Sequence, residues 1–356
     1  MIDQMRLTML LSVLVAGLLI ANIYGEFYKV NAKAPENILV IGHTIDIHSM
    51  TLRQKIAQMI MAYGNPDDKA LYQQMDIGGI FLTAMETPDA FNKTTELMQR
   101  NSKIPFFIAA DVEGCINPFE NFAKFPSLAD IKTSEDAFAV GKSQGKLMHE
   151  LGLNMNFAPV VDTRDTIWNC RSFSGTPDDI ADKAAQYVTG LQSEGIIATP
   201  KHYPGKTLSV RDPHRLLTYA VIDDSDIEPF AKSEMAGAGA VMISHVIGSG
   251  AVDTEGKPAV TSKKAVATLK KDFNGLVVTD DINMLGLMRY YGRSDGRYID
   301  LFAAGNDIVL DVASSPDKIS HIIDVVEGAV HTGKISESQI DNSVKKILNA
   351  KGFKTI

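Results

Sequence analysis

Eight short apolar segments, separated by longer stretches of mixed polarity, constrain the fold of this chain more than any other feature. Each segment is apolar throughout instead of at alternate positions, which is typical of parallel strands buried on both faces. The intervening stretches include helical patterns at 134–151 and 178–194. This alternation predicts an α/β fold, a single (β/α)8 barrel of the TIM type. The predicted strands are 58–63, 79–83, 106–110, 155–161, 197–201, 240–245, 276–279 and 307–311.

Polar side chains follow the predicted strands at the point where each strand ends. In a (β/α)8 barrel the active-site groups lie in the loops after the carboxyl ends of the strands. Any one of these residues alone is better explained as a helix cap or a loop residue, but their recurrence on one face favours a functional site. They are Asp111 after the third strand, Asp162 and Arg171 after the fourth, Lys201 and His202 after the fifth, His245 after the sixth, Asp280 and Asp281 after the seventh, and Asp311 at the end of the eighth.

The N-terminal region differs from the rest because residues 7–24 form an uncharged, mostly apolar run. As a helix this run would be about 27 Å long, close to the thickness of a bilayer core. We expect a signal-anchor or signal peptide at 1–25, a linker at 26–50 and the barrel domain at 51–356. A buried N-terminal core helix is less favoured because the run lacks a polar stripe. We therefore expect membrane attachment or export, with the barrel outside the cytoplasm, in the periplasm.

Charge and cysteine content narrow the class of function. The formal net charge of -8 comes without any cluster of Lys and Arg, which argues against a nucleic-acid partner. The two cysteines, Cys115 and Cys170, have neither the number nor the spacing of a disulfide framework or a metal site. We expect no metal and no organic cofactor.

The segment 201–214, KHYPGKTLSVRDPH, allows two interpretations. Gly205-Lys206-Thr207 resembles the end of a phosphate-binding loop, but that motif needs glycine at position 200, where Pro200 has neither the flexibility nor the N–H group. In the second interpretation Asp212 hydrogen-bonds one ring nitrogen of His214, which would make the other nitrogen a general acid and base. By spacing alone, a surface Asp–His pair is the simpler explanation.

The seventh predicted strand ends in two adjacent acids, Asp280 and Asp281. A carboxylate at a strand end is well fixed and can act as a nucleophile. Neighbouring residues in an extended segment face opposite ways, so only one of the two can point into a site. We expect the other to be structural, as a helix cap.

Several of these motifs together resemble glycoside hydrolase family 3, and in particular its β-N-acetylhexosaminidases of the NagZ type. The resemblance covers about residue 51 to the C-terminus, and the pairing of KHYPG with a D-x-H further along is its most specific part. The motifs, in chain order, are Asp111-Val112-Glu113-Gly114, Arg171-Ser172-Phe173, Lys201-His202-Tyr203-Pro204-Gly205, Asp212-Pro213-His214 and Thr279-Asp280-Asp281-Ile282-Asn283-Met284.

The resemblance implies a retaining exo-β-N-acetylglucosaminidase that forms a covalent glycosyl-enzyme intermediate. It would release terminal β-linked N-acetylhexosamine from peptidoglycan-derived cell-wall fragments such as muropeptides. By position in the motifs, Asp280 matches the nucleophile, His214 the acid/base and Asp212 the partner of His214. The positions that match sugar-binding residues are Asp111, Arg171, Lys201 and His202. Lys201 would also help to keep Asp280 ionised.

The chain departs from the family at two places. Cys115, Ile116 and Phe119 stand where relatives have a glycine and basic residues, and the arginine lost at Phe119 is one that binds sugar. We expect a polar contact there to be exchanged for an apolar surface. Gly205-Lys206-Thr207 replaces the family's Gly-His-Gly, with the loop length to His214 unchanged.

These departures leave alternatives open. Cys115 and Cys170 fall in neighbouring loops, where they form either a disulfide that replaces the lost arginine or two free thiols. The sugar could be a neutral glucoside instead of an N-acetylhexosamine. A non-catalytic, wall-associated sugar-binding barrel is a third possibility, which the complete set of Asp280, Asp212 and His214 argues against.

Overall fold

The computed structural model describes residues 38–209, 212 and 214–356. The expected N-terminal anchor at 1–25 and residues 26–37 of the expected linker lie outside these ranges. Within them, no helix is both long and apolar enough to cross a membrane.

Fourteen strands are present in the described residues. Most are short, and those of the two main sheets are buried. They are β1 (Val40–Ile41), β2 (Thr44–Ile45), β3 (Ile60–Tyr63), β4 (Gly79–Phe81), β5 (Phe107–Ala110), β6 (Met155–Asn156), β7 (Ile197–Ala198), β8 (Lys201–Tyr203), β9 (Tyr219–Ile222), β10 (Ala240–Ile243), β11 (Ile247–Gly250), β12 (Leu276–Thr279), β13 (Val309–Asp311) and β14 (Lys354–Thr355).

Eleven α-helices alternate with these strands in the described part of the chain. They are α1 (Leu52–Gln58), α2 (Lys69–Met75), α3 (Pro88–Gln99), α4 (Ser134–Glu150), α5 (Pro177–Gln192), α6 (Asp224–Met235), α7 (Lys263–Asp272), α8 (Leu285–Tyr291), α9 (Gly296–Ala303), α10 (Pro316–His331) and α11 (Glu337–Ala350).

The helices predicted at 134–151 and 178–194 correspond to α4 and α5. Both begin at a threonine N-cap. Thr133 accepts a hydrogen bond from the backbone N–H of Asp136, and Thr176 forms a capping box with Asp179. Such caps satisfy N–H groups that have no partner inside the helix, so the sequence sets where each helix starts.

The strands form two parallel sheets that contain all eight predicted strands. One sheet has the order β13-β3-β4-β5-β6-β7 and the other the order β12-β10-β8. Isolated bridges connect them, between Val160 and Lys201 and between Val278 and Ile308. The predicted α/β class is therefore confirmed, and the strands adopt a TIM-like arrangement of two parallel sheets joined by single bridges.

The fifth predicted strand is divided into β7 and β8 by Thr199 and Pro200. Proline has no N–H group for the ladder, although the Pro200 carbonyl still accepts a hydrogen bond from Met242 N at 3.0 Å. The peptide bond between Lys201 and His202, just after this break, is cis.

Two small sheets lie outside the predicted pattern. β9 and β11 pair in parallel, and β14 near the C-terminus pairs with β2 in a three-stranded sheet with β1. β9 has a mixed burial pattern and β11 is half exposed, so neither shows the continuous apolar run of a central strand.

Candidate active site

Polar and apolar side chains at the carboxyl ends of the main strands enclose a pocket of about 180 Å³. Six of the seven residues predicted for the site line it, and the seventh, Asp212, is hydrogen-bonded to one of them. The residues that line the pocket are Phe81, Asp111, Phe157, Arg171, Lys201, His202, His214, Met242, Asp280, Asp281, Met284, Leu310 and Val312.

One wall of the pocket is an ion network centred on Glu113, whose side chain is fully buried. Glu113 accepts hydrogen bonds from Arg171 Nε at 2.6 Å and from the Arg171 Nη2 at 2.8 Å. Lys201 Nζ lies 2.5 Å from Glu113 Oε1 and 2.5 Å from Asp111 Oδ1. A bidentate, charge-assisted pair of this kind fixes the planar guanidinium in orientation. The network therefore holds Arg171 and Lys201 rigidly and leaves Asp111, the more exposed carboxylate, at the pocket.

His202 is fixed by a second buried acid, Asp162. The Asp162 carboxylate lies 3.0 Å from His202 Nδ1 and also accepts a hydrogen bond from Thr207 N. With Nδ1 engaged, Nε2 of His202 is the ring nitrogen left for the pocket. The sequence analysis located Asp162 just after the fourth predicted strand. The structure shows that from this position it contacts His202.

Asp280 directly follows β12 and is half-buried at the pocket. Its backbone N–H donates to Ile243 O at 2.9 Å, which continues the pairing with β10, and its Oδ1 accepts from Asp281 N at 2.9 Å. Burial, the largest single influence, opposes ionisation of this carboxyl, but the imidazoles of His202, His245 and His214 and the backbone N–H of Asp281 together outweigh it, and the pKa of Asp280 is lowered from its ordinary value. Asp280 is thus ionised near neutral pH, with His202 making a larger contribution than the expected Lys201.

Asp281 has a different environment from its neighbour. Its Oδ1 accepts hydrogen bonds from Asn283 N and Val312 N, both at 3.2 Å, and so joins the loops that follow β12 and β13. Burial raises the pKa of this carboxyl to about 6. The expected helix cap is wrong, because α8 begins after Met284 and has no side-chain cap. The expectation that only one of the two acids points into the site is also wrong, because both Asp280 and Asp281 line the pocket.

The Asp212–His214 pair forms as the spacing predicted. Asp212 Oδ1 lies 2.9 Å from His214 Nδ1 and accepts from His214 N at 3.0 Å. Burial would raise the pKa of Asp212, but the hydrogen bonds from His214 outweigh it and lower that pKa. The His214 carbonyl accepts from Leu285 N at 3.1 Å, which attaches the loop to the start of α8. His214 therefore lines the pocket with Nε2 free, although its side chain is 56% exposed.

Cys115 and Cys170 are joined by a disulfide with a Cα–Cα distance of 6.1 Å. The pairing confirms the first of the two alternatives that the sequence left open. Cys115 lies two residues after Glu113, and Cys170 immediately precedes Arg171. The disulfide therefore links the two loops that the Glu113–Arg171 ion pair also joins.

Phe119 does not provide the apolar surface that the sequence predicted. Its side chain is fully buried and packs against Phe91, with ring centroids 5.0 Å apart, and against Phe122, at 5.7 Å. The expected exchange of a polar contact for an exposed apolar one is wrong, because the aromatic cluster draws the ring into the core.

Lys206 and Thr207, which replace the family's His-Gly, are both engaged. Lys206 Nζ lies 2.6 Å from Asp223 Oδ2 and 3.0 Å from Asp226 Oδ2, at the N-terminus of α6. Gly205 has a φ of 91°, and a Cβ at this position would lie 3.1 Å from the carbonyl oxygen of Asp226. The base of the loop that carries His214 is thus attached to α6.

Three partners of the predicted site residues had no specific role assigned from the sequence: Glu113, Asp162 and His245. Glu113 and Asp162 make the contacts described above. His245 is buried, and its Nε2 donates to the backbone carbonyl of Asp281 at 2.9 Å. Burial lowers the pKa of His245, so the ring is neutral near pH 7. The strand-end pattern had already indicated Asp162 and His245, and Glu113 belongs to the motif that begins at Asp111, but no sequence signal showed which residue each of them contacts.

Comparison with known proteins places these features in a family. Residues 51–350 match the model described as the glycosyl hydrolase family 3 N terminal domain. The chain is 28% identical over 305 residues to a Cellulomonas fimi protein named beta-N-acetylglucosaminidase/beta-glucosidase, a match that covers 79% of this chain and 53% of that protein. The chain thus spans about half the length of this relative. It is also 27% identical to beta-hexosaminidase LpqI of Mycobacterium tuberculosis, over 84% of this chain and 82% of that protein.

Solved structures agree with the sequence matches. A family 3 beta-N-acetylglucosaminidase from Paenibacillus sp. str. FPU-7 superposes with a TM-score of 0.78 at 28% identity, covering 85% of this chain and 62% of that one. M tuberculosis LpqI has the same TM-score at 23% identity, covering 90% and 98%, which shows a shared fold. The family match spans most of the sequence, and these structures share the fold. The chain therefore belongs to glycosyl hydrolase family 3, and the part of that family that it matches is the N-terminal domain.

Proposed function

We propose that this protein is a retaining exo-β-N-acetylglucosaminidase. The observation that carries the proposal is that Asp280, with a lowered pKa, and His214, with its Nδ1 held by Asp212, line one small pocket. Retaining hydrolysis needs a nucleophile below the anomeric carbon and a proton donor beside the leaving oxygen. These two side chains meet both needs.

In the first step Asp280 attacks the anomeric carbon of the terminal sugar while Nε2 of protonated His214 gives its proton to the leaving oxygen. The bond to the leaving group breaks as the ester to Asp280 forms. Asp212 stabilises the imidazolium before the transfer and keeps Nδ1 protonated after it. The products are the protonated leaving group and a glycosyl-enzyme ester.

In the second step His214, now neutral, takes a proton from water as the water oxygen attacks the same carbon. The ester breaks, Asp280 leaves as a carboxylate, and the sugar is released with its original β configuration. His214 ends the cycle protonated, so no external acid or base is consumed.

The remaining polar groups of the pocket hold the sugar. Asp111 can accept from two adjacent hydroxyls, while Lys201, Arg171 and His202 donate. Because Glu113 and Asp162 already hold these donors in place, little side-chain entropy is lost when the sugar binds. This preorganisation favours a terminal sugar in a fixed orientation, as an exo-acting enzyme requires.

The choice of N-acetylglucosamine rests on the printed names of the relatives from Cellulomonas fimi and Paenibacillus, and the broader name beta-hexosaminidase of the Mycobacterium tuberculosis relative is compatible with it. The first of these names also includes beta-glucosidase, so a neutral glucoside is the second candidate sugar. The proposed natural substrates are peptidoglycan-derived fragments. A non-catalytic sugar-binding protein is the third alternative.

The proposal extends to architecture and location. We propose that residues 51–356 form one (β/α)8 barrel, closed at the two bridges that join its sheets. The segment at 1–25 would anchor or export it, with 26–50 as a linker. The Cys115–Cys170 disulfide supports an extracytoplasmic, oxidising location, because such bonds are rare in reducing compartments.

The test is an assay of the full chain, purified in mild detergent, on an aryl β-N-acetylglucosaminide and on the matching aryl β-glucoside. We expect turnover of the first substrate and loss of about 10³-fold or more in kcat for Asp280→Asn, which keeps the shape but removes the nucleophile. Turnover of the glucoside alone would support the second candidate sugar.

A trapped intermediate tests the roles of the two acids. A slow fluoro-sugar substrate should leave a glycosyl adduct on Asp280, located by mass spectrometry of the peptide that contains both carboxylates. An adduct on Asp281 would contradict the assignment. Sugar binding without turnover of either aryl glycoside would favour the non-catalytic alternative.

A further inference from the structure

Trp168, the one tryptophan of the sequence, lies between two groups that the proposed function needs. Its ring centroid is 5.6 Å from that of His214, with the two planes nearly perpendicular at 86°. The Arg171 guanidinium lies over the same ring, with its Cζ 4.9 Å from the ring centroid. One indole therefore contacts both the acid/base imidazole and a sugar-binding cation.

Trp168 is itself held firmly. Its backbone N–H donates to Asp165 Oδ1 at 2.9 Å, and the same carboxylate accepts from the backbone of Ile167, Cys170 and Arg171. The disulfide at Cys170 attaches the end of this turn to the loop after β5. The indole thus stands on a turn that has little freedom to move.

His214, in contrast, is lightly held on its other sides. Its side chain is 56% exposed, and that of Asp212 is 33% exposed. Asp212 accepts hydrogen bonds from the backbone N–H and from Nδ1 of His214, but a hydrogen bond at one ring nitrogen leaves the ring free to tilt about it. A large, flat, immobile side chain against the ring restricts that tilt.

The base of the loop is attached to the same turn. Thr166 N donates to Leu208 O at 3.2 Å, and Thr166 Oγ1 donates to Ser209 O at 3.0 Å. The turn at 165–171 therefore contacts the loop at its base through Thr166 and at its catalytic end through Trp168.

We propose that Trp168 is a positioning residue that sets the orientation of His214 relative to the sugar held by Arg171. The proposal rests on the proposed function for what His214 does, and adds a residue to it. A misoriented imidazole would still bind Asp212 but would deliver its proton poorly. The sugar contacts of Asp111, Lys201 and His202 would be unchanged.

Leaving groups of different basicity test this role. A dinitrophenyl group leaves without protonation, whereas a methylumbelliferyl or methyl group needs the acid. For Trp168→Ala we expect kcat/KM, which reports the first step alone, to fall about 10-fold to 100-fold for the acid-dependent substrates, while kcat/KM for the dinitrophenyl substrate changes only a few-fold. Trp168→Phe, which keeps a flat ring, should recover part of the loss.

Tyr219→Ala serves as the matched control, because it removes an aromatic ring that is 66% exposed and lies outside the pocket. It should show no dependence on the leaving group. An equal loss of kcat/KM for all leaving groups in Trp168→Ala would overturn the proposal and make Trp168 a sugar-binding or merely structural residue. Thermal unfolding of each variant shows whether the fold is retained.

Fluorescence tests the contact without turnover, so it separates this proposal from the proposed function. As the only indole, Trp168 reports its own surroundings, and an imidazolium quenches an indole more than a neutral imidazole does. The charged or titratable groups near the pair include Arg171, Asp165, Asp212 and Arg215, and across the pocket Asp280 and His245. We expect a pH-dependent quench in the wild type that is absent in His214→Ala. An identical emission profile in both would overturn the positioning contact, whether or not the protein hydrolyses aryl glycosides.

Discussion

Two adjacent carboxylates, Asp280 and Asp281, have opposite properties because they face different surroundings. Asp280 is near the imidazole of His202, which favours its charged form. Asp281 is buried and close to Asp311, and both factors disfavour its charge. Both residues are aspartates, so the difference between their pKa values arises entirely from where each side chain lies in the fold.

The raised pKa of Asp281 makes a prediction about stability and pH. A carboxyl whose pKa rises from 3.8 unfolded to about 6 folded contributes stability that is complete below about pH 3.8 and is lost as the pH rises through 6. We expect Asp281→Asn, which is neutral at every pH, to gain stability relative to the wild type between pH 4 and 7. The gain should not exceed about 3 kcal/mol. Chemical denaturation of both proteins across this range measures it.

Asp280→Asn is the control for this prediction, because the pKa of Asp280 is shifted in the opposite direction. Above about pH 4 it should be less stable than the wild type by an amount that hardly changes with pH, because a carboxyl with a lowered pKa loses its contribution only as the pH falls below its unfolded value of 3.8. A constant difference between the wild type and Asp281→Asn from pH 4 to 7 would contradict the account of Asp281.

At the residue scale, sequence reasoning identified the side chains that enter the pocket but not those that hold them. Asp280, His214 and Lys201 belong to motifs that can be read along the chain. Glu113 and Asp162 act through contacts with residues more than 35 positions away. Such contacts depend on how the strands are ordered in space, which a single sequence does not reveal.

At the element scale, the loop that carries His214 begins at an attachment that relatives with Gly-His-Gly would not share. Lys206 binds Asp223 and Asp226, which form the capping box of α6. Asp226 is 2% exposed and also accepts from Thr163 Oγ1 at 2.7 Å. The lysine therefore compensates a buried charge while it holds the start of the loop.

We predict that Lys206→Met lowers the free energy of unfolding by about 1–2 kcal/mol, because Asp226 then stays buried without its cation. The loop should also be less ordered, which lowers kcat more than it raises KM if His214 has the proposed role of acid and base in the transition state. Thermal and chemical unfolding together with aryl glycoside kinetics measure the two effects.

Asp223→Asn is the matched control, because the Asp223 side chain is 64% exposed and an exposed ion pair contributes little. Lys206→Arg keeps the charge and should lie near the wild type in both measurements. If Lys206→Met matched Asp223→Asn in stability and in kcat, the attachment to α6 would have no role in the loop.

The central strands were predictable because burial on both faces leaves an unbroken apolar run. β10, β12 and β13 fall within the predicted ranges, and β12 matches its range in full. The division of the fifth strand at Pro200 was not predicted, although the missing N–H of proline gives the reason. β9 and β11 escaped prediction because their exposed faces break the apolar pattern.

At the scale of the whole molecule, the disulfide is the feature that the sequence could raise as an alternative but not decide. Its two cysteines are 55 residues apart, and only the adjacency of two loops brings them together. The predicted barrel made that adjacency plausible. The choice between a disulfide and two free thiols depends on the distance between the two cysteines in the folded structure, which the sequence does not contain.

The size of the closed loop gives the last prediction. A cross-link that closes 55 residues restricts the unfolded chain by an amount equivalent to about 4 kcal/mol. The double variant Cys115→Ala, Cys170→Ala should therefore unfold at a clearly lower temperature than the oxidised wild type. Its KM for aryl glycosides should rise, because the loops that hold Glu113 and Arg171 gain freedom.

Reductant should lower the melting temperature of the wild type towards that of the variant and leave the variant unchanged. Because both proteins keep the Glu113–Arg171 ion pair, equal melting temperatures without reductant would mean that this pair, not the disulfide, joins the two loops.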